Sequence, residues 1–192
     1  MNEPKLQAPG AGIPALELLI AKHFIFPKRF KTTSNQKAIA DFREESEKIL
    51  KLARGLTPQQ LSERRLIPRL RGLEDSSRYW SVAMAMEHLI IVGTGTRGII
   101  LALARNHTDL PKRGTADVKP STELDALEIV GKFEEFTNTF VRSVEKVDFD
   151  KYPEAGHPHP WFGPLTARQW LVFAAPHQKI HRQQIEAIIQ RL

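Results

Sequence analysis

Apolar and polar positions along this chain fall into four long stretches with the three- to four-residue period of an amphipathic α-helix. The first runs from about Ser34 to Arg54, with Ile39, Phe42, Ile49, Leu50 and Ala53 recurring at helical spacing. Ser34 suits an N-cap, and Gly55 followed by Thr57-Pro58 ends the run. The second covers about Ser76 to Arg105. Met84, His88, Ile91, Val92, Gly95 and Ile99 share one of its faces, while Met86 and Ile90 occupy the other, which predicts a central helix buried nearly all round. The third, about Ser121 to Val147, is the clearest stripe. Ala126, Ile129, Val130, Phe133, Phe136, Phe140, Val144 and Val147 line up, and Lys132, Glu134, Glu135 and Lys146 lie outside. The fourth begins after Phe162-Gly163-Pro164, where Thr166 and Gln169 form a capping-box pattern, and runs to the C-terminal end.

No alternating β-branched runs with hairpin turns appear, so the predicted architecture is an all-α four-helix bundle. Residues 34–192 form that bundle, and residues 1–33 form an N-terminal extension. Within the extension, Pro14–Phe26 reads as a short helix or apolar strap closed by Pro27, with a surface that can pack across subunits in a homodimer.

Composition narrows the chemistry. A chain of 192 residues fits one domain, and the absence of cysteine excludes a disulfide scaffold, a cysteine-ligated zinc or iron–sulfur site and a cysteine nucleophile. Hydrophobic residues make up 41%, enough for a packed core. The apolar stretches Ala15–Ile25 and Leu89–Ala104 are read as too short and too interrupted to span a bilayer, and the start lacks a secretion-signal layout. The expected location is the cytoplasm. Net charge is +6, with basic clusters at Lys28-Arg29-Phe30-Lys31 and Arg64-Arg65 to Arg71. Neither is a basic arm, so they read as solvated surface before a nucleic-acid site.

The last helix carries the decisive pattern. Trp170, Phe173, Ala174, His177, His181, Ile185 and Ile188 share one face, joined by Gln184. His177 and His181 stand at i and i+4, where side chains lie one above the other and two imidazoles can chelate one cation. An apolar face is a poor place for uncommitted imidazoles, because burying them unpaired costs a few kcal/mol. Either a divalent metal satisfies them or they bond to carbonyls, hydroxyls or water. His88, midway along the second helix, supplies a third imidazole, and a three-histidine site with an open position is of the catalytic type.

At these residues the chain resembles a known family. His88 in Met-Glu-His-Leu-Ile, His177-Gln-Lys-Ile-His181, and the segment His159-Pro-Trp-Phe-Gly-Pro-Leu-Thr166 are similar to the DinB/YfiT-like superfamily. The resemblance implies a bundle, often dimeric, that holds nickel, zinc or another divalent cation with His88, His177 and His181. In some relatives the metal activates a low-molecular-weight thiol for S-transfer or isomerisation. Pro176 sits directly before His177 and removes a backbone donor there, so a local bulge or kink is expected.

Other motifs are weaker. Gly93-Thr-Gly95-Thr-Arg-Gly98 matches a dinucleotide fingerprint, but no strand follows it and the residues before it are helical, so glycines for close helix approach or bending are the better reading. Gln178 cannot act as the glutamate general base of the zinc-protease motif. His157 and His159 lie in a Pro-rich loop, and His159, pinned by Trp161 and Phe162, is the candidate acid–base group. His23 and His107 read as surface residues. A substrate pocket is expected from Trp80, Met84, Trp170 and Phe173, for a small electrophile attacked by an activated thiol. The alternatives are a non-catalytic stress-response or binding module and a basic nucleic-acid binder.

Overall fold

A computed structural model of the chain describes residues 3–112 and 114–192. Its elements in chain order are helices α1 (Ala15–Ile20) and α2 (Phe26–Thr32), joined by a π-helical turn at Ala21–Ile25, then α3 (Asn35–Arg54) and α4 (Pro58–Ser62). Strand β1 (Arg65–Leu66) pairs antiparallel with β2 (Tyr79–Trp80), and α5 (Val82–Leu103) follows. Next come α6 (Ala126–Val144), a hairpin of β3 (Gly156–His159) and β4 (Gly163–Thr166), and α7 (Ala167–Ile189).

Helices α3, α5, α6 and α7 make the four-helix bundle, with α7 seated between α3 and α5, and α6 closing the ring on the other side. Side-chain caps start each helix: Ser34, Ser81, Asp125 and Thr166 accept backbone N–H bonds from the first turn, and Thr166 with Gln169 completes the capping box. Most of the predicted stripe residues are in the core, though Ile91, Val92, Ile99, Val130 and Val147 are only half-buried. Phe42 stacks on Phe140 at 4.1 Å, and Phe133 and Phe136 extend that cluster. Buried Ser46 and Thr137 donate to the carbonyls of Phe42 and Phe133 four residues back, so their hydroxyls are satisfied inside the helix.

Three boundaries differ from expectation. The second helix starts at Val82 rather than near Ser76, because Asp75–Ser77 forms a 3₁₀ turn and Tyr79–Trp80 pairs with β1. The third starts at Ala126, where Asp125 provides a cap that Ser121 does not. The segment holding His157 and His159 is a short hairpin, and Gly163 supplies the positive φ of 78° its tight turn needs. These two small hairpins are strands that periodicity did not reveal.

The N-terminal extension also differs. Helical structure passes straight through Pro27, which sits in the first turn of α2 where a missing N–H costs little, and the π turn before it relieves the ring's clash. Arg168 on α7 donates to the carbonyls of Phe30 at 2.5 Å and Thr33 at 2.7 Å, closing the end of α2. Further upstream, the Glu74 carboxylate accepts from the backbone N–H of Gly12 and Gly10 at 3.2 and 3.3 Å, and Asp75 accepts from Gln7 N–H at 2.8 Å. Glu17 accepts from Arg69 and from the Gly72 amide. The apolar side chains of the strap remain largely outward, with Leu16 70% and Phe24 66% exposed.

Two sequence readings are revised by packing. By length and composition α5, at 22 residues, does suffice to cross a membrane; it is one of the four bundle helices, packed on α6 and α7. It is not buried nearly all round as expected, because Ile91, Val92, Gly95 and Ile99 are only half-buried. The second basic cluster is largely paired internally: Arg64 with Glu3, Arg65 with Glu63 and Arg69 with Glu17.

Candidate metal centre

The packing of α5 on α7 brings the three singled-out histidines together. His177 and His181 lie one turn apart on α7, and His88 faces them from α5. Ring centroids are 4.7 Å apart for His177–His181, 4.5 Å for His88–His181 and 5.4 Å for His88–His177. One ring nitrogen from each residue lies within 4.8 Å of the others. Helix α7 continues through Pro176, whose ring stands where an N–H would reach the Val172 carbonyl.

Hydrogen bonds set the proton on two of these rings. His88 Nδ1–H donates to the Val118 carbonyl at 2.8 Å, and His181 Nδ1–H donates to Gln184 Oε1 at 2.7 Å. Each therefore carries its lone pair on Nε2. Gln184, fully buried, has no freedom to invert, because its Nε2 donates to the Ser77 carbonyl at 2.7 Å. Burial pushes the His88 pKa down to about 4, against small opposing effects of the Val118 bond and the nearby Glu74 charge. His177 and His181 are held well below the ordinary histidine value by burial first, then His177 by the charges of His181 and His88, and His181 by that of His88 against the opposing Gln184 bond. All three are neutral at pH 7, the form a metal requires. Three neutral imidazoles, two of them with the outer nitrogen anchored, make a donor set that fits a divalent cation.

The centre opens into a cavity of about 1090 Å³. Trp80, Trp170 and Phe173 line it. Met84 does not: it is 5% exposed and packs in the bundle core, because the start of α5 at Val82 places it in the first turn. The Trp80 ring lies nearly parallel to His181 at 6.1 Å and 5.2 Å from His88, forming one wall of the centre. His159 lines the cavity among Phe173 at 4.7 Å, Phe162 at 4.8 Å and Trp170 at 5.1 Å. The Trp161 amide donates to His159 Nδ1 at 3.1 Å, which leaves the proton on Nε2, and burial lowers the pKa to about 4. His157 is 3% exposed, with its pKa lowered by burial and then by Lys112, and it stands beside Trp170 rather than in the triad. His23 is exposed, as is His107, whose amide closes the end of α5 on the Ala102 carbonyl.

Some features lay beyond sequence reasoning. Gln184 was visible as a polar residue on the apolar stripe, but its partner, the Ser77 carbonyl, comes from a loop 107 residues away in the chain. The Val118 carbonyl ends a short 3₁₀ helix, Thr115–Val118, that carried no signal of its own. The strap residues Leu16, Ile20 and Phe26, which form part of the cavity wall, showed only as an apolar segment.

The DinB superfamily profile matches residues 41–185. No curated protein matches the chain in sequence. Among solved structures, TT2238, a four-helix bundle protein, is 23% identical with a TM-score of 0.58, over 80% of this chain and 98% of its own. YfiT from Bacillus subtilis, described as a probable metal-dependent hydrolase with an unusual four-helix bundle topology, is 17% identical with a TM-score of 0.61. That match covers 82% of this chain and 86% of YfiT. At these identities the likeness is one of fold.

Proposed function

The chain belongs to the DinB superfamily, and we propose that it is a divalent-metal-dependent enzyme in which His88, His177 and His181 are the ligands and a small electrophilic molecule is the substrate. The observation that supports this most is the convergence of three neutral imidazoles within 4.8 Å, two of them anchored through Nδ1. A divalent cation, zinc or nickel by its preference for imidazole, would be held by these three residues and would supply Lewis-acid chemistry that favours ionisation of a thiol or water near neutral pH.

The chain's own residues account for binding and orientation. Trp80, Trp170, Phe162 and Phe173 exclude water from the cavity floor. His159, neutral at pH 7, offers Nε2–H as a hydrogen-bond donor to the substrate; a pKa of about 4 makes it a poor base. Trp170 Nε1–H is buried without a protein acceptor among the described residues, a second donor beside it. The nucleophile is a low-molecular-weight thiol, making the reaction S-transfer. The thiol proton passes to solvent, sulfur bonds to the electrophilic carbon, and the leaving group departs with the displaced electron pair. Water is the second reading, favoured by the description of YfiT.

Purification without added metal, reconstitution with zinc or nickel, and elemental analysis test the ligand set. About one equivalent per chain is expected, falling below about 0.2 in each of His88→Ala, His177→Ala and His181→Ala. A wild-type protein that neither carries nor takes up transition metal overturns the reading. Product formation from a model electrophile with and without added thiol separates transfer from hydrolysis.

A further inference from the structure

The cavity is larger than the metal centre needs. At about 1090 Å³ it exceeds the roughly 300–1,000 Å³ of ordinary small-molecule pockets, and most of its wall is apolar. It runs from the histidines along one face of α5, where His88, Ile91, Val92, Gly95 and Ile99 succeed one another. At 1.5 Å rise per residue that floor is about 16 Å long, room for an extended chain of roughly twelve carbons. Gly95 and Gly98, expected to serve close helix approach or bending, instead lie on this wall, and a Cβ at either would meet nothing within 4 Å. Gly93, by contrast, is filled by Phe136 and serves helix packing. From the other side the strap contributes Leu16 and Ile20.

We propose that this groove binds the apolar tail of an elongated amphiphilic ligand, an alkyl- or acyl-type chain whose polar head lies among His88, His177, His181 and His159. The head's position rests on the metal-centre reading, and the tail's on the cavity alone. Four neutral imidazoles gather at one end, the α5 wall beyond them is mostly apolar and open at two glycines, and charged side chains such as Glu17, Arg29, Arg69 and Lys119 lie elsewhere on the lining. That division of chemistry fits one molecule with a polar and an apolar end. A compact polar substrate would leave the α5 wall in contact with water.

Straight-chain carboxylates from butanoate to dodecanoate, below micelle-forming concentration, provide the probe. All three tryptophans line the cavity, so their fluorescence reports occupancy. Titrations are made on metal-free and zinc-loaded protein. Affinity is expected to rise about three- to fourfold per added methylene in both forms, as each buried CH₂ leaves water. In Gly95→Leu the rise should stop near eight carbons, while metal uptake stays that of the wild type. Gly131→Leu, the same change at an open glycine on α6 away from the cavity, should follow the wild type. Affinity independent of chain length overturns the proposal, as does a Gly95→Leu variant that follows the wild type. So does a concentration-dependent dimer that leaves the titrations flat, since a second copy then covers the groove. Chain-length dependence without metal uptake would remove the enzyme reading and leave the binding site standing.

Discussion

Gln184 fixes the least obvious feature of the centre, the identity of the nitrogen His181 presents. Its side chain is held at both ends, by His181 Nδ1–H and by the Ser77 carbonyl. Replacing it by leucine keeps the volume but leaves a buried N–H and a buried carbonyl unpaired. Gln184→Leu should therefore weaken zinc binding by about 10- to 100-fold, read by competition with a chromogenic chelator, with helix content unchanged by circular dichroism. A Gln184→Leu variant with wild-type affinity would mean that His181 needs no anchor. His159 calls for a different test. His159→Phe preserves the aromatic contacts with Phe162 and Phe173 and removes the Nε2–H donor. It should lower turnover by at least about tenfold while leaving metal content intact.

Among the elements, α5 shows how one glycine-rich segment divides its labour. A Cβ at Gly93 would stand 2.1 Å from the Phe136 ring, so the glycine is what lets α5 and α6 close. Gly93→Ala should lower stability by about 1–3 kcal/mol in urea titrations. Gly95→Ala, with open space around it, should be neutral or stabilising by up to about 1 kcal/mol. The same element shows what could be read in advance. The faces of the four long helices were legible, because burial there follows a period the chain itself carries, and the His88, His177 and His181 pattern rose from those faces. The hairpins were not legible: β1 and β2 contribute two residues each, too few for any period, and their pairing is set by tertiary contact. Met84 was misplaced for a related reason, since a helix face assigns a direction but not which neighbour stands there.

At the scale of the whole molecule, several neutral histidines packed inside one protein tie its stability to pH. His88 and His159 titrate near 4 when folded and near 6.5 when unfolded. Between those values the unfolded chain binds protons that the folded one does not, so their contribution is complete above about pH 6.5 and is lost as pH falls toward 4. These two residues give a slope of at most about 2.7 kcal/mol per pH unit, steepened by His177 and His181, which are shifted the same way. Thermal unfolding of the metal-free protein from pH 8 to pH 5 should show a plateau above 7 and a steep fall below 6.5. A flat profile would contradict neutral buried imidazoles.

The grip of Glu74 on the strap bears on how the protein is handled. This carboxylate is 8% exposed, and two of its three partners are amides of Gly10 and Gly12. An expression clone trimmed to begin at the bundle would strip those amides and leave a nearly bare anion facing His88. A protein shortened in this way is therefore a poor reference for metal affinity.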